Sequence, residues 1–174
     1  MTSLMKQHTR RLFQSGFTLL ETLAVLTIMG VILSLIVVNF GKDEKQQLQQ
    51  ESHRLALLMS HASATARSTG QPLAWSFKQG GYQFLQRTTN RIGWQIIASD
   101  QTLRQRQLPP GIQILDQRIE GVRLAANEMI IFSPSGINAP FSLTLASKYA
   151  STKLTGNLLG NISEEPVIEK RSEN

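Results

Sequence analysis

The chain has 174 residues, 41% of them hydrophobic, with 18 Lys and Arg against 12 Asp and Glu for a net charge of +6. That length allows one ordinary domain with an appendage, and that apolar content excludes a wholly disordered chain. There is no cysteine, which excludes disulfides, cysteine-ligated zinc and cysteine nucleophiles.

Charge is unevenly placed along the chain. Lys6, Arg10 and Arg11 stand in the first 16 residues with no acid, leaving 15 bases against 12 acids over the other 158. The high pI is therefore partly a property of the N-terminus, and a basic surface for nucleic acid is less indicated than the raw charge suggests. From Phe17 to Phe40 the next 24 residues carry one formal charge, Glu21. A helix of that length reaches about 36 Å, enough for a hydrocarbon layer of about 30 Å. The run exceeds the apolar core of about 7–15 residues in a secretory signal, and "VVNFGKDEK" at its end makes a poor cleavage site. A single-pass anchor is predicted, with the basic residues before it holding the N-terminus in the cytoplasm. A carboxylate at membrane depth costs about 3 kcal/mol. Glu21 must therefore snorkel to the headgroups or find a partner.

The helix is predicted to continue to Thr69, since only Gly30 and Gly41 interrupt it and no proline does. Leu48, Leu55, Leu58, Met59, Ala62 and Ala66 recur mostly at separations of three, four and seven, which draws one apolar stripe. Gly70 and Pro72 supply the stop. The stripe needs a dock, and the chain's own C-terminal part is the expected one. His53 and His61 share a helix face but stand eight apart, not the three or four of a metal-binding pair, so a solvated or packed face is expected and no metal.

From Pro72 the pattern changes to short alternating runs. "LAWSFK", "YQFLQR", "WQIIAS", "IQILDQ", "VRLA", "MIIFS" and "FSLTLA" read as strands, with a further one around 153–159. "QGG", Pro109-Pro110-Gly111 and "SPSG" at 133–136 punctuate them as turns. Eight of the eleven aromatic residues lie between Trp75 and Tyr149, so the core is expected here. The fold class is α+β: a long N-terminal helix packed on an antiparallel two-sheet β domain.

The N-terminal order of basic leader, Ser15-Gly16, "FTLLE" and apolar helix resembles that of type IV pilin-like proteins, and "GFTLLETLAVLTIMGVI" carries the match. The resemblance implies a prepilin peptidase that cuts after Gly16 on the cytoplasmic side and methylates the new N-terminus, Phe17. It also implies that, in a fibre, Glu21 meets the Phe17 amine of a neighbouring subunit. Two opposite charges attract strongly in a low-dielectric layer, where either alone is costly. Farther on, "GYQFL", "GWQII", "LRQRQLPPGIQIL" and "IIFSPSGINAPFSLTL" are similar to a domain shared by two kinds of minor subunit. One is the H-type minor pseudopilin of type II secretion, the other the FimT-like minor pilin of type IV pili. Together the resemblances cover roughly residues 6–145.

The organisation expected is a cleaved leader over 1–16, a transmembrane helix half over 17–40 and a periplasmic amphipathic half over 41–70. A β-rich domain over 71–160 and a mobile acidic tail over 161–174 complete it. The resemblance implies a minor pseudopilin in the bacterial inner membrane, its C-terminal domain in the periplasm near the tip of a short fibre that supports export of folded proteins. Its expected partners are other minor pseudopilins, the major pseudopilin, the prepilin peptidase, the inner-membrane secretion platform and exported proteins. The FimT-like alternative is a pilin of pilus assembly or DNA uptake. Arg87, Arg91, Arg104 and Arg106 could meet phosphates, but the end "SEEPVIEKRSEN" has four acids and two bases, which argues against nucleic acid. An enzyme is not expected, and no cofactor. No Walker loop or Gly-x-Ser-x-Gly occurs, "GNLLGN" reads as a turn, and His53 and His61 are far in sequence from Ser133 and Ser135.

Overall fold

A computed structural model describes residues 18–87, 93–98, 100–125 and 128–170, with side chains throughout except at 34–43. Two compact units divide the chain, Met1–Asn39 and Phe40–Asn174. Helix α1, Leu19–Thr69, runs through both.

Thr18 starts the helix. Its Oγ1 accepts from the Glu21 N–H at 3.2 Å, and its carbonyl accepts from Thr22 N–H at 3.2 Å. A threonine cap followed three residues later by glutamate is the sequence form of a capping box. At the other end Gly70 adopts φ +69°, the left-handed position that ends helices, and Pro72 follows. In the second unit the predicted stripe is the docked face: Leu48, Leu55, Met59, Ala62 and Ala66 are fully buried.

The β part forms two antiparallel sheets. In the first, β1 (Leu73–Lys78) lies between β2 (Gly81–Arg87) and β7 (Ile130–Phe132). β3 (Trp94–Ile96) and β4 (Arg106–Gln107) share the far edge of β2. In the second the order is β10 (Ile162–Glu164), β9 (Ala150–Gly156), β8 (Phe141–Ala146), β5 (Gln113–Ile119) and β6 (Val122–Arg123). β11 (Ile168–Glu169) joins β9 on the edge it shares with β10. Two-residue loops close the β1–β2 and β5–β6 hairpins. Gln79-Gly80 and Glu120-Gly121 both have positive φ at each residue, the twist that such tight hairpins require. Gly156 has a different reason to be glycine: the Phe141 ring fills the space where a Cβ would stand.

A single core joins the helix stripe with both sheets. Trp75, Tyr82 and Phe84 come from the first sheet, and Leu143, Leu145 and Leu154 from the second. Phe132 of β7 meets Phe141 of β8 edge-on, with centroids 6.3 Å apart, so an aromatic pair spans the layers.

The structure differs from expectation at the C-terminus. The stretch expected as a mobile tail from residue 161 contains β10 and β11, both paired with β9. The reason lies in two acids of that stretch: Glu164 and Glu169 find partners on α1. The strand expected around 153–159 is β9, which starts earlier and yields to a turn after Gly156. β4 was not foreseen, since two residues carry no periodicity.

Candidate functional site

Gly16 and Phe17 lie outside the described residues, as do the leader and Arg91. Glu21 is described, and it is exposed. It stands in the first turn, where the unpaired N–H groups make the helix end positive and favour an acid. Its apolar neighbours are exposed too: Leu19 is 83% exposed, and Leu20, Leu23, Leu26, Ile28 and Leu33 are exposed as well. A lone carboxylate thus sits in an apolar surface that nothing in its own unit covers among the described residues. Such a group can pair with a cation in a dry environment; an apolar surface of this extent is otherwise met by lipid or protein. Among the described residues no helix is long and apolar enough to cross a membrane. The expected 17–40 span falls partly outside those residues.

In the second unit, α1 is tied to each sheet by a polar contact. The Glu51 carboxylate is buried, accepting from the Tyr82 hydroxyl at 3.0 Å and from Arg54 Nη1 at 2.8 Å. Burial, and then the charge and hydrogen bond of Glu51, hold the Tyr82 hydroxyl protonated far above the usual phenol range. On the second sheet's side, Ser52 donates to Glu164, His53 Nδ1 lies 3.4 Å from the same carboxylate, and Lys45 Nζ donates to Glu169 at 2.7 Å. The Lys45 hydrogen bond, and then its charge, lower the Glu169 carboxyl below its ordinary range.

The remaining candidates separate. His53 goes to Glu164, and His53 and His61 are not brought into a metal site, for no group of three potential ligands occurs among the described residues. Ser133 and Ser135 hydrogen-bond each other at 2.8 Å within their turn. Arg106 donates to the Thr102 carbonyl at 3.3 Å and is half-buried beside Tyr82 in the register, which does not present it as part of a patch with Arg104. The arginines that do converge are Arg118 and Arg123, both on Asp116, at 2.6 and 3.0 Å. Arg118 above all holds the Asp116 carboxyl below its usual range. Sequence reading missed Glu51, Glu164 and Glu169. Only Glu51 and Arg54, at helical i,i+3 spacing, left a local signal.

The same architecture occurs in known proteins. Residues 51–160 match the family described as Type II transport protein GspH, and residues 11–37 match the prokaryotic N-terminal methylation motif. Type II secretion system protein H of Aeromonas hydrophila is 28% identical over 155 residues, which cover 80% of this chain and 84% of that one. Two solved structures of the minor pseudopilin EpsH from the type II secretion system of Vibrio cholerae superpose with TM-scores of 0.59 and 0.57. They are 20% and 18% identical, covering 72% and 69% of this chain and 98% and 96% of their own. The solution structure of GspH from E. coli gives a TM-score of 0.51 at 14% identity, over 75% of this chain and 94% of that one. The structural likenesses speak for the fold.

An N-terminal methylation motif leading into a helix, the helix packed on two antiparallel sheets, defines a pseudopilin. The chain belongs to the GspH family of type II transport proteins, and it is a minor pseudopilin of type II secretion.

Proposed function

We propose that the protein is a structural subunit near the tip of a type II secretion fibre, anchored by one pass through the bacterial inner membrane with its C-terminal domain in the periplasm. Prepilin peptidase cuts between Gly16 and Phe17, and the new N-terminus of Phe17 is methylated. Glu21 then meets the Phe17 amine of a neighbouring subunit, which neutralises both and sets the axial stagger. Its neighbours are other minor pseudopilins and the major pseudopilin, on the inner-membrane platform, with exported proteins as further contacts. The role is mechanical and recognitive, with no catalysis.

The observation that carries this reading is Glu21 standing exposed among exposed Leu19, Leu20 and Leu23 in a capped first turn. A charge so placed favours a partner from outside the chain. The match of residues 11–37 to the methylation motif supports the processing step. The test is the intact mass of the membrane-extracted chain made with and without a prepilin peptidase. A peptidase-dependent product that starts at Phe17 and carries one extra methyl is expected. A chain that keeps residues 1–16 in the presence of the peptidase refutes the processing and, with it, the role given to the Phe17 amine.

A further inference from the structure

The C-terminal stretch from Ile162 to Lys170 lies against two surfaces at once. Its backbone follows the outer edge of β9, where Glu165 N–H donates to the Lys153 carbonyl at 2.9 Å and Lys170 N–H to the Tyr149 carbonyl at 2.7 Å. Ser163 stands opposite Thr155, and Ile168 opposite Ser151. In an antiparallel strand successive residues point their backbone groups to opposite edges. The odd-numbered residues of β9 therefore face the C-terminal stretch, and the even-numbered ones face β8, as the Ser147 N–H to Ala150 carbonyl bond at 2.8 Å confirms. Meanwhile two of its carboxylates reach α1: Glu169 to Lys45, and Glu164 to Ser52 and His53.

Little apolar area holds this stretch down. Ile168 is 65% exposed and both residues of β11 are exposed; Ile162 and Val167 pack only partly on the core. Segments held by edge hydrogen bonds and exposed ion pairs open before those held by buried apolar contacts. What lies beneath is a strand edge alongside a helix face that offers a lysine, a serine hydroxyl and a histidine. The occupant seen there, the chain's own extended acidic strand, shows by charge complementarity what chemistry fits.

We propose that residues 162–170 are a releasable latch, and that the β9 edge with Lys45, Ser52 and His53 is a docking site for an extended acidic strand of a neighbouring pseudopilin. The recognition is strand addition, with backbone hydrogen bonds for affinity and carboxylates for register. The identity of the partner rests on the fibre reading given above; the latch does not.

Residue-resolved hydrogen exchange on the full-length chain in detergent micelles tests the latch. The amides of Ser151, Lys153 and Thr155 should exchange at least about tenfold faster than those of Thr152 and Leu154 in the same strand. Added salt, or Glu164→Gln with Glu169→Gln, should widen that gap by about two- to fivefold per ion pair lost. A labelled peptide of residues 161–174 should then bind the double variant in trans, and a peptide carrying the same two substitutions should bind it more weakly. Equal exchange at alternate positions, unmoved by salt, overturns the latch, and a peptide that fails to bind overturns the docking site. Neither measurement depends on cleavage at Gly16, so a failed fibre reading is told apart from a failed latch.

Discussion

Glu51 is left by burial with two donors, Arg54 and Tyr82. Replacing Tyr82 with Phe keeps the ring and removes one of them. A buried acceptor deprived of a partner costs about 1–3 kcal/mol, so Tyr82→Phe should lower stability by that amount at neutral pH, read from the urea midpoint. The same pair sets a response to alkali. The folded protein holds the Tyr82 proton more tightly than the unfolded chain, where the phenol titrates near its ordinary value of 10.0. The stability this contributes is whole below about pH 10 and is lost as pH rises beyond it. Tyr82→Phe should flatten that alkaline fall. Asp116 and Glu169 act in the opposite sense, since each carboxyl is lowered by a basic neighbour. Their contributions are present above the ordinary carboxylate range and are lost as pH falls below it, through the lowered values.

At the scale of elements, the docked half of α1 is the part on which both sheets depend. Leu55 is fully buried in the core that joins them. Leu55→Ala should cost about 2–5 kcal/mol, whereas exposed Leu57→Ala in the same turn should leave the unfolding midpoint nearly unchanged. This contrast was legible in the sequence, because a 3.6-residue period separates Leu55 and Met59 from Leu57 without any knowledge of the sheets. So were β1 and β8, since the runs "LAWSFK" and "FSLTLA" match their bounds residue for residue. The N-terminal motif was legible for another reason: its residues stand together in one short stretch of the chain. Glu164 and Glu169 were not legible, because each finds its meaning over a hundred residues away, on Ser52 and Lys45. A carboxylate on a short strand looks the same in sequence whether it faces water or a lysine. β4 and β11, at two residues each, owe their existence to the edges of β2 and β9 and have no pattern of their own.

For the whole molecule, the division at Asn39 and Phe40 carries a further expectation. Every buried core residue described lies at Leu48 or beyond. A chain that starts at Phe40 should therefore unfold within about 4 °C of the full-length protein in micelles, a difference worth less than about 1 kcal/mol. A much lower midpoint by calorimetry would mean that the first unit contributes to the fold of the second. The exposed leucines of the first unit should show themselves differently, as a detergent requirement in the full-length chain that the shorter one lacks.

The cap at Thr18 bears on how such a subunit matures. The hydroxyl and carbonyl that begin α1 belong to Thr18 itself, and the first helical residue is Leu19. Among the described residues, the groups that cap the helix therefore lie on the far side of the proposed cut between Gly16 and Phe17. A cut there would leave the Thr18 cap in place, like a strip whose seal survives the loss of its tab. The proposed cut would also deposit a cation one residue before the cap, at the end of the helix least hospitable to it. Maturation on that proposal would create a charge that its own helix disfavours, and a neighbouring chain's carboxylate would relieve it.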